Sequence, residues 1–184
     1  MTATPAPLVR VCVTGPECTG KTSLARRLAE WADTRWVPEA SRLYAERCGG
    51  ALTAADVGPI AHEHITLADA AAEQARALGA GLIVLDTDLL STVVYARHYY
   101  GAAPRWVERA ERARRADLYL LCDVDIPWLP DGIRDRPERR EAMFELFRRA
   151  LVRRRATWVE IRGERAARWD LARRAVERIL ARRT

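Results

Sequence analysis

The chain has 184 residues, a formal charge of +6, a pI near 9.6 and 49% apolar residues, which fits one domain with a sizeable core and leaves no room for a second of normal size. Its arginines scatter over predicted helix faces (Arg109, Arg112, Arg114, Arg115; Arg173, Arg174, Arg178) without interleaved aromatics, so the charge argues against nucleic acid as a partner. No apolar run reaches membrane-spanning length and Met1 to Pro7 lacks the regions of a signal peptide, so a cytoplasmic protein with no membrane partner is expected, with 1–7 a flexible N-terminus and 8–184 a single domain.

The first element is a short strand, Leu8 to Val13, followed by Gly15-Pro-Glu-Cys-Thr-Gly-Lys-Thr22 and a helix from about Lys21 to Asp33. This fits G-x-x-x-x-G-K-[ST] at every fixed position and in the strand-loop-helix context that the pattern needs. Gly15 and Gly20 let the backbone turn sharply and approach a polyphosphate, so that amides from Glu17, Cys18, Thr19, Gly20, Lys21, Thr22 and Ser23 and the positive end of the helix converge on ATP. Lys21 serves the β- and γ-phosphates as a compact charge, and the Thr22 hydroxyl is a ligand for Mg²⁺. Lys21 is also the only lysine; every other basic side chain is arginine.

Thr34 to Val37 reads as a second strand ending at Pro38-Glu39, and Ser41 to Cys48 as a helix stopped by Gly49-Gly50. Thr53 to Asp56 opens an alanine-rich helix that runs to Leu78. His62 and His64 lie on it two apart, hence on different faces, which suits surface or core histidines better than a metal site. Gly81 to Leu85 is a continuous apolar run, a strand buried on both faces, and ends in Asp86-Thr87-Asp88. Helices follow from Leu89 to His98 and from Pro104, in its first turn, to Arg115. Asp117 to Cys122 is a fourth buried strand, and Asp123 to Pro137, rich in Pro, Gly, Asp and Arg, is irregular. Glu138 to Arg155 is a helix, Thr157 to Ile161 a fifth strand and Arg165 to Ala181 the last helix. The four cysteines, Cys12, Cys18, Cys48 and Cys122, lack C-x-x-C spacing and read as reduced thiols.

Alternating strands and helices imply an α/β fold with a parallel sheet and right-handed crossovers, in which ligands bind beyond the carboxyl ends of the strands. Those ends supply the phosphate loop, Glu39, then Asp86 and Asp88, then an arginine-rich segment, which together suit phosphoryl transfer. Asp86 is a second candidate ligand for Mg²⁺. Asp88 suits either the acceptor site or the cap of the helix at Leu89. Glu39 can accept the proton of an acceptor hydroxyl, and whether Glu39 or Asp86 is the base stays open. Residues from about 125 to 140 are a candidate lid whose Arg134 and Arg136 reach the transferring phosphate, while Arg139 and Arg140 read as solvated surface residues.

The set G-P-E-C-T-G-K-T, P-E-A-S-R after strand two, D-T-D after strand three and D-I-P-W-L-P-D-G-I-R after strand four resembles the NadR-type nicotinamide riboside kinases over nearly the whole chain. The resemblance implies a three-layer P-loop kinase fold with sheet order 2-3-1-4-5. It also implies ATP-dependent phosphorylation of the 5′-hydroxyl of nicotinamide riboside to nicotinamide mononucleotide; the sequence is compatible with a homo-oligomer. The multifunctional members also carry regulatory and adenylyltransferase domains, for which this sequence has no room, so the adenylyltransferase step is expected from another chain. The acceptor is a cation, so its pocket should offer carboxylates and aromatic faces. The candidate carboxylates are Glu39 and Asp88, with Arg42 a further substrate-binding candidate and Trp36, Tyr44, Tyr95, Tyr99, Tyr100 and Trp128 as stacking partners, one or two of them in the site.

Overall fold

Residues 8–49, 51–126 and 140–182 are described by a computed structural model. Five parallel strands, β1 (Val9–Thr14), β2 (Trp36–Val37), β3 (Leu82–Asp86), β4 (Leu118–Cys122) and β5 (Trp158–Ile161), lie in the order β2-β3-β1-β4-β5. The helices are α1 (Lys21–Trp31), α2 (Ala40–Cys48), α3 (Val57–Ala77), α4 (Leu89–Tyr100), α5 (Arg105–Ala113), α6 (Arg140–Arg153) and α7 (Arg165–Ala181).

The strands alternate between two cores, as the period of two in a strand requires. Val9, Val11 and Val13 of β1, Leu82 and Val84 of β3, and Leu118, Leu120 and Cys122 of β4 pack under α1 and α7. Cys12, Ile83, Leu85, Tyr119 and Leu121 face the other way, onto α3, α4 and α6. Three layers result, and β3 and β4 are buried along their whole length because helices cover both faces. Each fully buried Leu or Ile there stabilises by about 1.5–3 kcal/mol, which is what makes these two strands readable as unbroken apolar runs.

The differences from expectation are local. β2 is only Trp36–Val37, because Thr34 is bound instead to the end of α1, its N–H donating to Ala29 O at 3.0 Å. Pro104 does not enter the first turn of α5 but stands before it with an extended ψ of 136°. A 3₁₀ turn, Ala54–Asp56, precedes α3, closed by a reciprocal cap in which Thr53 N–H donates to Asp56 Oδ2 at 2.7 Å. Among the described residues no helix is long and apolar enough to cross a membrane.

His62 is exposed and its ring meets Trp106 at 4.3 Å, whereas His64 is 6% exposed. Burial, with the charges of Arg10 and Arg114 against the weaker pull of Asp69, brings the His64 pKa down to about 4. The folded value lies below the ordinary 6.5, so its contribution to stability is present above pH 6.5 and is lost as pH falls towards 4, where the unfolded chain takes a proton the folded chain refuses. The loss at pH 4.5 should be roughly 2–3 kcal/mol. Urea unfolding at pH 7.5 and 4.5 should show it in the wild type and not in His64→Gln; parallel pH dependence in the two would remove it.

Candidate active site

At the carboxyl end of the sheet a strand, a tight loop and a helix follow one another, β1, Gly15 to Gly20 and α1. Gly15 leaves β1 with φ 134°, and a Cβ there would stand 2.7 Å from the Cys122 carbonyl oxygen, so β4 backbone occupies the space any other residue would need. Gly20 caps α1 in the left-handed region at φ 77°, and Cys18 shares that region at φ 52°. Lys21 Nζ donates to Pro16 O at 2.7 Å and Thr19 Oγ1 donates to the same carbonyl at 2.8 Å. Lys21 is thus folded over the loop with its charge at the loop's centre, 7% exposed. Ser23 is exposed on the first turn of α1.

Asp86 ends β3 opposite Val13 of β1, beside the loop. It is 1% exposed and takes a hydrogen bond from the Thr22 hydroxyl, while its Oδ1 has no hydrogen-bond partner among the described residues. Burial pushes its pKa up to about 6, with the Thr22 bond opposing and the nearby Glu39 charge adding to the rise. A buried carboxylate oxygen left over beside a threonine hydroxyl fits a hard cation. Among the described residues no cluster of three or more His, Cys, Asp or Glu side chains could hold a metal ion alone.

Asp88 does what a helix cap does: its Oδ1 accepts from Leu90 N–H at 2.9 Å and its Oδ2 from the Tyr119 hydroxyl at 2.8 Å. Its pKa is also pushed up to about 6, chiefly by burial. It nonetheless lines a cavity of about 520 Å³ walled by the start of α2, the segment Ala51 to Thr53, the first half of α3 and one face of α4. Glu39, 6% exposed before α2, lines it as well, accepting from Ser41 Oγ at 2.8 Å, with Arg42 Nε 3.8 Å from its other oxygen. Glu17 faces the same cavity from the phosphate loop. Tyr95, Tyr99 and Tyr100 complete one wall; the rings of Tyr95 and Tyr99 are parallel within 7° at 6.0 Å. Among the described residues the lining holds these three carboxylates and no arginine or lysine.

Other expected residues lie elsewhere. Tyr44 is not in the lining; its hydroxyl donates to Asp56 Oδ1 at 3.0 Å and ties α2 to the 3₁₀ turn. Arg42 reaches Glu39 from outside that lining. Trp36, on the edge strand β2, stacks under the Arg26 guanidinium at 4.5 Å. Trp128, Arg134 and Arg136 fall outside the described residues. Arg140 corrects the expectation of a solvated residue, since its guanidinium donates to Cys18 O at 3.2 Å and to Ile126 O at 3.3 Å. Arg168, not singled out from sequence, is 7% exposed and donates to Gly163 O, Thr19 O and Asp123 O and to the Asp125 carboxylate. The signal for it was its place on the buried stripe of α7 with Ala172, Ala175 and Val176.

A parallel sheet in this order, with a phosphate loop between β1 and α1, an acidic end to β3 and an acceptor-sized cavity alongside, defines a P-loop nucleotide-binding fold of the kinase type. The chain belongs to the AAA domain family, whose model matches residues 10–168. It is similar to the trifunctional NAD biosynthesis/regulator protein NadR of Escherichia coli (strain K12), 30% identical over 147 residues, which is 74% of this chain and 35% of that protein. Among solved structures it is similar to the NadR protein in complex with NR (25% identity, TM-score 0.75, 93% of this chain and 50% of that one). Thymidylate kinase from Ehrlichia chaffeensis, 13% identical with a TM-score of 0.68 over 95% of this chain and 100% of that one, shares the fold. The chain therefore spans about a third of the length of the curated relative and half that of the solved NadR chain.

Proposed function

We propose that this protein transfers the γ-phosphoryl group of ATP to the 5′-hydroxyl of nicotinamide riboside, giving nicotinamide mononucleotide and ADP. The observation that carries the reading is the cavity beside the phosphate loop. Among the described residues its lining holds three carboxylates and three tyrosines and no arginine or lysine, with Arg42 reaching Glu39 from outside it, which suits an acceptor with a fixed positive charge on an aromatic ring. The likeness to a NadR protein solved with NR supports it.

Lys21 and the loop amides hold the polyphosphate, and Lys21 leaves the Pro16 carbonyl to do so. Thr22 and Asp86 are the residues that would hold Mg²⁺, which when bound neutralises charge on the β- and γ-phosphates. Glu39 lines the acceptor cavity and Asp86 does not, so Glu39 is assigned to the acceptor hydroxyl. The hydroxyl oxygen forms a bond to the γ-phosphorus, the bond from that phosphorus to the β,γ-bridging oxygen breaks, and the hydroxyl proton passes to the Glu39 carboxylate as ADP leaves. Arg134 and Arg136 are assigned to the transferring phosphoryl group. Asp88, Tyr95, Tyr99 and Tyr100 are assigned to the riboside.

The pocket's charge sets an expected selectivity. A desolvated cation–π contact contributes about 2 kcal/mol, so kcat/KM for nicotinamide riboside should exceed that for its neutral reduced-ring form by roughly thirty-fold or more. Equal values for the two at the same Mg-ATP concentration would show that the pocket does not read the ring's charge.

A further inference from the structure

Two arginines far apart in sequence hold successive carbonyls of the phosphate loop. Arg140, at the start of α6, donates to Cys18 O at 3.2 Å; Arg168, in the first turns of α7, donates to Thr19 O at 3.1 Å. Each also grips the segment that follows β4: Arg140 at Ile126 O, 3.3 Å, and Arg168 at Asp123 O, 3.0 Å, and at the Asp125 carboxylate. Arg168 Nε adds Gly163 O at 2.9 Å, and Gly163 N–H donates to Asp125 in turn. Five carbonyls and a carboxylate from three loops therefore meet two planar forks.

We propose that Arg140 and Arg168 are positioning residues that aim the amides of the phosphate loop at the polyphosphate. In a planar trans peptide the C=O of one residue and the N–H of the next point in opposite directions. Holding Cys18 O outward turns Thr19 N–H inward, and holding Thr19 O outward turns Gly20 N–H inward. Cys18 needs such a hold, since it keeps a left-handed φ of 52° without being glycine. Neither arginine needs to touch the nucleotide; each fixes in advance the direction of a donor that a nucleotide would otherwise have to order on binding. A lysine could not replace the Arg168 fork, because one ammonium with three donors cannot span four acceptors on three segments.

The inference rests on the phosphate-loop part of the proposed function and not on the acceptor. Calorimetric titration of the full chain with ADP and with adenosine tests it, in the wild type, Arg168→Gln, Arg168→Lys and Arg140→Gln. Both glutamine variants should bind ADP about tenfold or more weakly and adenosine within about twofold of wild type, because only phosphates use the aimed amides. Arg168→Lys should recover little. In turnover, KM for ATP should rise and KM for the acceptor should stay. ADP affinity unchanged, or ADP and adenosine weakened in parallel, would reduce both residues to structural ties. Should Arg168→Gln fail to fold, Arg140→Gln, at a half-buried residue, decides by the same ratio. A wild type that binds ADP yet leaves nicotinamide riboside unphosphorylated removes the proposed substrate and leaves this inference standing; a wild type that binds no ADP overturns both.

Discussion

Lys21→Ala should lower turnover by at least two orders of magnitude while the protein stays folded. The ammonium is the one lysine charge in the chain, and it sits at the loop's centre, 7% exposed. A donor aimed at charge that develops on a transferring phosphoryl group contributes about a hundred- to a thousand-fold when removed from comparable sites. Truncation should cost little stability, because the carbonyl of Pro16 keeps the Thr19 hydroxyl as a partner when Nζ is gone, and Lys21 belongs to neither apolar core. Steady-state kinetics and thermal unfolding measure the two sides. Turnover near wild type would end the assignment of Lys21 to the phosphates.

Asp86→Asn should also cost about a hundred-fold or more in turnover, and it should do so without weakening the unliganded fold. The carboxylate is buried with one oxygen lacking a partner among the described residues, and its folded pKa is raised to about 6 from 3.8. A raised carboxyl favours the protonated form in the fold, so its stability is intact below pH 3.8 and declines as pH rises through about 6. At pH 7.5 the neutral amide should therefore make the unliganded protein more stable than wild type by roughly 1–3 kcal/mol, and the gap should close near pH 4. Unfolding curves at the two pH values measure this. The same curves with ADP, with and without Mg²⁺, add a readout independent of turnover: the metal should raise the wild-type midpoint further than the variant's. A variant less stable than wild type at pH 7.5 would mean that Asp86 is structural.

Much of the fold was legible because its central strands are buried on both faces. β3 and β4 read as unbroken apolar runs, and the phosphate loop announces itself by fixed glycines, one of which, Gly15, has no room for a side chain against Cys122. Element ends were less legible where a proline or a side-chain bond decides them, as at Pro104 and Thr34. Glu39, Asp86 and Asp88 were readable from their places directly after strands, yet their division of labour was not. Sequence spacing does not reveal that Asp88 gives both oxygens to a cap and a tyrosine, or that Asp86 keeps one oxygen over.

The aromatic wall shows the same limit. Six rings were candidates from sequence, and packing decides among the described ones: Tyr95, Tyr99 and Tyr100 line the cavity from the second half of α4, while Tyr44 and Trp36 are engaged elsewhere. Arg140 and Arg168 were hardest to find, because in a chain whose basic residues are nearly all arginine a buried one looks like any other. Only the buried stripe of α7 marks Arg168, and nothing in the sequence marks Arg140.

ADP release from Mg-ATP, followed with and without nicotinamide riboside while the phosphorylated product is identified, tests phosphoryl transfer to the riboside most directly. Negligible ADP is expected without acceptor and, with it, one nicotinamide mononucleotide for each ADP, with uridine and thymidine far poorer acceptors. ADP released at one rate whether or not the riboside is present would make this a nucleotide hydrolase, and uridine or thymidine phosphorylated as fast as the riboside would make it a general nucleoside kinase; either result contradicts the account.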